Sequence, residues 1–199
     1  TEKRRAVKDE REVVLLALLS HEKNGTFSNV LVKKTLDDCA GMSTMEKAFI
    51  KRLLEGVIER KTELDARIEH FTGRSVTRLH PVVHQILRMG IYQICYMDSV
   101  PDSAVCNEAV RLAKRRGPAR LSGFVNGVLR SAARQAASSE GSYDVFLSDK
   151  GGVNSPCGEK DPADQLKALS LKNSMPEWLV EMWSDQLGME ETEKLLDAL

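Results

Sequence analysis

The stretch "GFVNGVLR" at residues 123–130 decides the fold, because it is compatible with two different structures. An Asn-Gly pair between apolar residues is the strongest short-range signal for a tight β-hairpin turn. The apolar residues around it do not alternate, however, and recur at intervals of three and four: Leu121, Phe124, Val125, Val128 and Leu129. That spacing, with the good helix formers in "RSAARQAA", predicts a single helix over residues 119–137. Because glycine costs a helix roughly 1 kcal/mol relative to alanine, we expect a neighbouring helix to approach closely at Gly127.

The same helical spacing recurs along most of the chain, and almost nothing alternates as a β-strand would. We predict helices over about residues 3–21, 28–39, 43–61, 64–71, 81–97 and 103–116. Ser28 or Asn29 can cap the second helix, and Ser43 with Glu46 forms a capping box for the third. Pro81 suits the first turn of the most apolar helix, which should be the central one. The sequence therefore predicts an all-α fold.

Composition divides the chain into three parts. Residues 1–137 hold the predicted helical domain, and residues 138–161, rich in Ser, Gly and Asp without periodicity, are typical of a linker. In residues 162–199 we predict two short helices broken at Gly188, with an apolar patch made by Trp178, Leu179, Met182 and Trp183. Too little chain follows to bury this patch. We therefore expect these helices to begin a second region that continues beyond Leu199.

Bulk composition argues against several classes of protein. The chain is 42% hydrophobic, enough to bury a core, and it has 29 basic and 29 acidic residues, so its net charge indicates no partner. Cys39, Cys95, Cys106 and Cys157 form no CxxC pair and follow no secretory signal, which argues against zinc ribbons and disulfide frameworks. The longest apolar run, at residues 13–19, is far too short to span a membrane. We expect a soluble, cytoplasmic protein.

Local charge is distributed unevenly. Between Ala109 and Ser139 there is no acidic residue, but there are seven basic ones: Arg111, Lys114, Arg115, Arg116, Arg120, Arg130 and Arg134. A surface of one sign suits the phosphate backbone of a nucleic acid, so we predict RNA contact here. Two alternatives stay open. One is a solvated face balanced by acids elsewhere, such as Glu190, Glu191 and Glu193, and the other is a docking face for an acidic protein.

Two histidines have the spacing of metal ligands. His80 and His84 lie four residues apart, which would place both on one face of a helix. No neighbouring Cys or carboxylate in the sequence completes a site, and His80 can simply occupy the helix start before Pro81. We therefore predict no metal site.

Three segments together resemble the NusB-like family. "FIKRLLEGVIERKTELDARIE" at 49–69 resembles its Gly-Val-containing helix with a following Leu-Asp pair. "ILRMGIYQICYMDSVPDSAVCNEAVRLAK" at 86–114 is similar to its central helix, Val-Pro turn and Asn-Glu-Ala helix, and "FVNGVLR" at 124–130 to its closing motif. Over residues 11–135 the resemblance implies an orthogonal helical bundle. Within it we expect Asn107, Glu108 and Asn126 to be structural, with buried amides that bond to neighbouring helix ends.

NusB-like domains occur as stand-alone transcription antitermination factors and as the N-terminal domain of RsmB/Sun-type 16S rRNA (cytosine-5-)-methyltransferases. "GTFSNVLVKKTL" at 25–36 and "MPEWLVEMWSDQLG" at 175–188 resemble segments of the methyltransferases, although Met175 stands where a His is usual. We therefore expect the RNA-binding N-terminal region of such an enzyme, which helps to place 16S rRNA. The alternative is an antitermination factor that binds RNA and a ribosomal protein.

The resemblance also implies a cofactor and a catalytic group for the parent enzyme. These are S-adenosylmethionine and a Cys nucleophile, and we expect both to lie in a catalytic domain that follows Leu199. Cys157 in "SPCG" lacks a preceding strand and a Gly-rich loop, so we assign it no catalytic role. We predict no catalytic, cofactor-binding or metal-binding residue here.

A second basic cluster lies at the N-terminus. The antitermination factor carries an arginine-rich N-terminus that touches RNA, and by that resemblance Arg4, Arg5 and Arg11 are further candidate RNA contacts. Asp9 and Glu10 dilute the charge of this segment. A mobile, solvated terminus is therefore the alternative.

Overall fold

The computed structural model describes residues 9–25, 27–138 and 162–198, and every regular element in those ranges is helical. The first two ranges form α1 Glu10–Asn24, α2 Ser28–Asp37, α3 Thr44–Glu59, α4 Lys61–Thr72, α5 Pro81–Tyr96, α6 Asp102–Arg116 and α7 Ser122–Ala137. The last range forms α8 Pro162–Lys172, α9 Glu177–Leu187 and α10 Met189–Asp197, and 3₁₀ turns at Val76–Arg78 and Ala119–Leu121 precede α5 and α7. The all-α prediction is confirmed, and the Asn-Gly pair lies inside α7 rather than in a hairpin.

Local chemistry explains several of the helix ends. The predicted capping box is present: Glu46 accepts from the Ser43 backbone N–H at 2.6 Å, and its own N–H donates to Ser43 Oγ at 3.3 Å. Gly25 ends α1 in the left-handed conformation, with φ 62°. The predicted cap of α2 is wrong, because Phe27 occupies the cap position and no side chain bonds there.

Helix α5 is the centre of the bundle, as its apolar sequence predicts. It packs against α1, α3, α4, α6 and α7, and Ile86, Leu87 and Ile91 on it are at most 1% exposed. The main hydrophobic core runs from Val14 to Ala132. Each surrounding helix buries its apolar stripe against α5 or a neighbour of α5, which fixes the directions of the remaining helix faces.

Close helix contacts occur at two glycines, but not at the predicted one. A Cβ on Gly56 of α3 would lie 2.0 Å from the ring of Tyr92 on α5, and a Cβ on Gly90 of α5 would lie 2.5 Å from Leu129 of α7. A Cβ on Gly127 would meet no atom within 4 Å. The prediction of a close approach at Gly127 is therefore wrong, because this glycine lies on the exposed side of α7.

A buried carboxylate joins α4 to the end of α5. Glu63 is fully buried and accepts from Arg67 Nε at 2.9 Å and from Arg60 Nη1 at 3.2 Å. The hydroxyl of Tyr96 also donates to it. Burial raises the pKa of Tyr96, and Glu63 raises it further. This network satisfies the charge of Glu63 inside the bundle, as a buried carboxylate requires.

A second network joins α1, α4 and α5. Arg88 of α5 donates to Asp65 from Nε at 2.7 Å and from Nη2 at 2.6 Å, and to Glu22 of α1 at 2.7 Å. Lys61 also contacts Glu22, at 2.9 Å. The sequence gives no local sign of these pairs, because the partners lie up to 66 residues apart.

The C-terminal helices form a small core of their own. Leu169, Val180 and Leu196 make its centre, one from each helix, and α8 also contacts α4 of the bundle. The predicted break at Gly188 is confirmed, with φ 83°, whereas α8 was not identified from the sequence. Of the predicted apolar patch, Trp183 packs on this core and Trp178 remains 64% exposed.

Several predictions fall outside the described residues. These are the linker at residues 139–161 with Cys157, and the N-terminal segment with Arg4 and Arg5. None of the helices in the described ranges combines the length and the apolarity needed to cross a membrane.

Candidate nucleic-acid interface

The predicted basic run lies on the outer sides of two neighbouring helices. α6 and α7 pack against each other and against α5, and they bury Leu112, Val125 and Leu129. The seven basic residues of the run are exposed: Arg111, Lys114, Arg115, Arg116, Arg120, Arg130 and Arg134. The fold therefore brings all seven to the surface. The arginines of α6 and those of α7 differ, however, in whether they form ion pairs.

The arginines of α6 are paired with acids from the first turn of α1. Arg111 and Arg115 contact Asp9 at 3.1 and 2.7 Å. Arg115 also contacts Glu12 at 3.1 Å, and Arg116 forms a short ion pair with Glu12. The surface around the α6 arginines therefore carries both positive and negative charge in the folded protein. The balancing acids lie mainly at the start of α1 and are not the glutamates near residue 190.

Asp9 is the central acceptor of this contact. Burial raises the pKa of its carboxyl, but hydrogen bonds from Arg115, from the Arg11 backbone and from Arg111 outweigh burial and lower the pKa below its usual value. Asp9 also caps α1, since its side chain accepts from the Arg11 N–H at 3.1 Å. A groove of about 440 Å³ opens beside it, lined by Asp9, Glu10, Arg11, Glu108, Arg111 and Arg115.

Arg11, predicted as an RNA contact, packs onto the bundle. Its guanidinium lies 4.9 Å from the centre of the Phe49 ring, and its Nε donates to Gln93 at 2.9 Å. Gln93 in turn donates to the Met89 carbonyl at 2.8 Å. Arg11 therefore contributes to the groove wall while it joins α1 to α3 and α5.

The remaining four cations of the run form no ion pair with any residue that the structure describes. Within the part of the chain that the structure describes, no carboxylate lies within 4 Å of the charged groups of Lys114, Arg120, Arg130 or Arg134. Arg134 donates to Ser131 Oγ at 3.1 Å. Burial raises the pKa of the Cys106 thiol, and the charge of Arg130 opposes this rise. Three of these four cations lie on α7 or in the turn that precedes it, and Lys114 lies on α6.

The residues expected to be structural occupy different positions. Asn107 is exposed, so its expected role as a buried amide is wrong. Glu108 is half-buried and pairs with Arg111 at 2.5 Å. Asn126 is half-buried as well. The Asn-Glu pair therefore belongs to the charged surface of α6 rather than to the core.

The histidines and cysteines lie in structural settings. His80 Nδ1 accepts from the Val82 N–H at 3.3 Å and so caps α5. His84 Nε2 lies 2.6 Å from Asp65, a carboxylate contact that the sequence did not indicate. Burial raises the pKa of the Cys95 thiol, which disfavours a reactive thiolate. Among the described residues there is no group of three metal-ligating side chains.

The fold defines an all-helical bundle with a cationic outer face, and sequence comparison identifies its family. The NusB family profile matches residues 8–134. The chain belongs to the NusB family. Transcription antitermination protein NusB of Bacillus velezensis is 37% identical over 120 residues, which cover 60% of this chain and 88% of that protein. The solved structure of T. maritima NusB superposes with a TM-score of 0.60 at 27% identity, and covers 66% of this chain and 92% of that one.

A second kind of relative matches nearly the whole chain. The probable ribosomal RNA small subunit methyltransferase B of Bacillus subtilis is 32% identical over 185 residues, which cover 93% of this chain. The same alignment covers 37% of the methyltransferase, so this chain spans little more than a third of that relative's length. The similarity therefore extends past the family domain into the C-terminal helices.

Proposed function

We propose that this chain is the RNA-binding N-terminal region of an S-adenosylmethionine-dependent 16S rRNA cytosine-C5 methyltransferase, acting in the cytoplasm. The observation that carries the proposal is the extent of the match: the methyltransferase relative aligns with 93% of the chain, and the antitermination relative with 60%. An alignment of this length must reach α8 and α9, and it favours the methyltransferase because these helices lie beyond the family domain. The region would help to place rRNA before the catalytic domain.

The charge of the bundle supports RNA as the ligand. Arg120, Arg130 and Arg134 are exposed and, among the described residues, without an acidic partner, so they can each contact a phosphate. Such contacts release counterions, which makes binding weaker as salt rises.

The described residues do not fit S-adenosylmethionine. The groove beside Asp9 is lined by charged side chains, with no aromatic or aliphatic residue among them to hold an adenine ring. The described ranges also hold no strand and glycine-rich turn of the kind that binds such cofactors. We therefore propose that the cofactor and the Cys nucleophile lie outside the described residues, in a catalytic domain of the parent enzyme.

RNA binding is tested with the full 199-residue chain and a labelled single-stranded fragment of 16S rRNA. We expect fluorescence anisotropy to show binding that falls steeply between about 50 and 200 mM salt. Absence of binding at the low end of this range would contradict an RNA-binding role.

The enzymatic assignment is tested in the source organism. Bisulfite sequencing of 16S rRNA, in which 5-methylcytosine resists conversion, should show one methylated cytosine that is lost when the gene is deleted. An unchanged methylation pattern, together with reduced read-through of transcription terminators, would instead favour the alternative of a NusB-type antitermination factor.

A further inference from the structure

The seven basic residues divide into two sets that do different work. The arginines of α6 are engaged by Asp9 and Glu12, so an RNA phosphate must displace a carboxylate to reach them. The cations at the start and on the outer side of α7 have no such competitor among the described residues. A phosphate contact is therefore most favourable at the unpaired cations of α7 and least favourable at the three paired arginines of α6.

The outer side of α7 also has two glycines at positions where a larger side chain would fit. Gly123, Gly127, Arg130 and Arg134 follow one another at intervals of four, three and four residues, so they form one exposed stripe about 16 Å long. A Cβ at either glycine would meet no atom within 4 Å, and neither glycine has a positive φ. Neither packing nor backbone conformation requires these glycines, although each disfavours the helix.

We propose that a single RNA strand lies along this stripe of α7. Arg120, Arg130 and Arg134 contact its phosphates, and the two glycines let its backbone approach the helix. The α6 arginines instead hold α1 in place. The inference rests on the proposed function and assigns the RNA contact within it to α7.

The composition of the surface favours RNA over a protein partner. Protein interfaces are centred on apolar and aromatic side chains. The exposed large hydrophobics of the described residues lie on α1, α3, α9 and at or near the start of α2: Leu16, Met45, Trp178, Met182, Leu187, Phe27 and Val30. None lies on α6 or α7. The stripe therefore presents positive charge and open space for a ligand backbone, but no apolar side chain on which a protein interface could be centred.

The first test removes charge from each helix in turn. A variant with Arg120→Gln, Arg130→Gln and Arg134→Gln should bind the labelled RNA about a hundredfold more weakly at about 0.1 M salt, and its salt slope should fall by about two. A variant with Arg111→Gln, Arg115→Gln and Arg116→Gln should change RNA affinity by only a few-fold and should lower the unfolding midpoint. The matched control carries Lys33→Gln, Arg74→Gln and Arg78→Gln, three exposed cations on other surfaces.

The second test fills the stripe without changing charge. A variant with Gly123→Gln and Gly127→Gln should bind the RNA at least tenfold more weakly and should keep or raise the unfolding midpoint, because glutamine is the better helix former and has open space at both sites. Misfolding cannot produce this combination of results. Unchanged affinity in this variant would overturn the glycine contact.

The outcomes separate this inference from the function on which it rests. If the α6 variant loses binding and the α7 variant retains it, RNA binds this protein but not along α7, and the inference is wrong. If the matched control weakens binding as much as the α7 variant, RNA is held by non-specific electrostatic attraction to the whole surface, and the inference is again wrong. Equal competition by poly-glutamate would point to an acidic protein instead. Failure of the wild-type chain to bind RNA would remove the proposed function itself.

Discussion

The helical glycines of this bundle differ in their surroundings and in their effect on stability. Gly56 allows α3 and α5 to meet, because the ring of Tyr92 occupies the space that a Cβ would need. Gly127 has open space around it, so it lowers the stability of α7 without a packing benefit.

The two glycines should therefore respond oppositely to alanine. Gly127→Ala should raise the free energy of unfolding by about 0.5–1 kcal/mol, through helix propensity alone. Gly56→Ala should lower it by roughly 1–3 kcal/mol, because the added methyl overpacks the contact with Tyr92. Urea unfolding of each variant measures both changes. A loss of stability in Gly127→Ala would show that something packs on that side of α7.

Among the elements, α1 depends on charges supplied by distant helices. Its start is held by the α6 arginines through Asp9 and Glu12, and its end by Arg88 and Lys61 through Glu22. Burial raises the pKa of Glu22, but the hydrogen bonds from Arg88 and Lys61 outweigh burial and lower the pKa from 4.5 to about 2.

This shift predicts how acid acts on the fold. A carboxyl with a depressed pKa in the folded state stabilises the protein above its unfolded value of 4.5, and this stabilisation is lost as pH falls toward about 2. Glu22→Gln should therefore lower stability near pH 6 and make it fall less steeply below about pH 4.5. Urea unfolding over that pH range measures the difference. Parallel pH profiles for the two proteins would contradict the role of Glu22.

Sequence reasoning identified the helices of the bundle but not the pairs between them. The helices were predictable because apolar spacing and capping residues such as Ser43 and Pro81 act locally. The match of Asp9 and Glu12 with α6 was not, since it joins positions about a hundred residues apart. For the same reason, the run of seven cations could be found in the sequence, whereas its division into paired and unpaired sets required the fold.

At the scale of the whole molecule, two hydrophobic cores are present in the described residues. The main core draws only on residues from Val14 to Ala132, the second draws on the C-terminal helices, and α4 packs against α8. The domain boundaries near residues 137 and 162 stay predictions, but this division of the cores is consistent with them.

A chain shortened after Ser138 should consequently keep its bundle. We expect the helical signal in far-UV circular dichroism to persist per residue, and the thermal midpoint to fall by no more than several degrees through loss of the α4–α8 contact. Residues 162–199 alone should be largely unfolded, because so small a core cannot offset the conformational entropy of ordering three short helices. Loss of cooperative melting in the shortened chain would contradict this independence.

Both tryptophans of the protein, Trp178 and Trp183, lie on α9. The bundle thus has no indole, and the C-terminal helices carry a built-in optical label. Tryptophan emission will report on the environment of α9, while circular dichroism is dominated by the longer helices of the bundle. A single denaturation experiment read by both signals can therefore follow the two parts of one chain without any added dye.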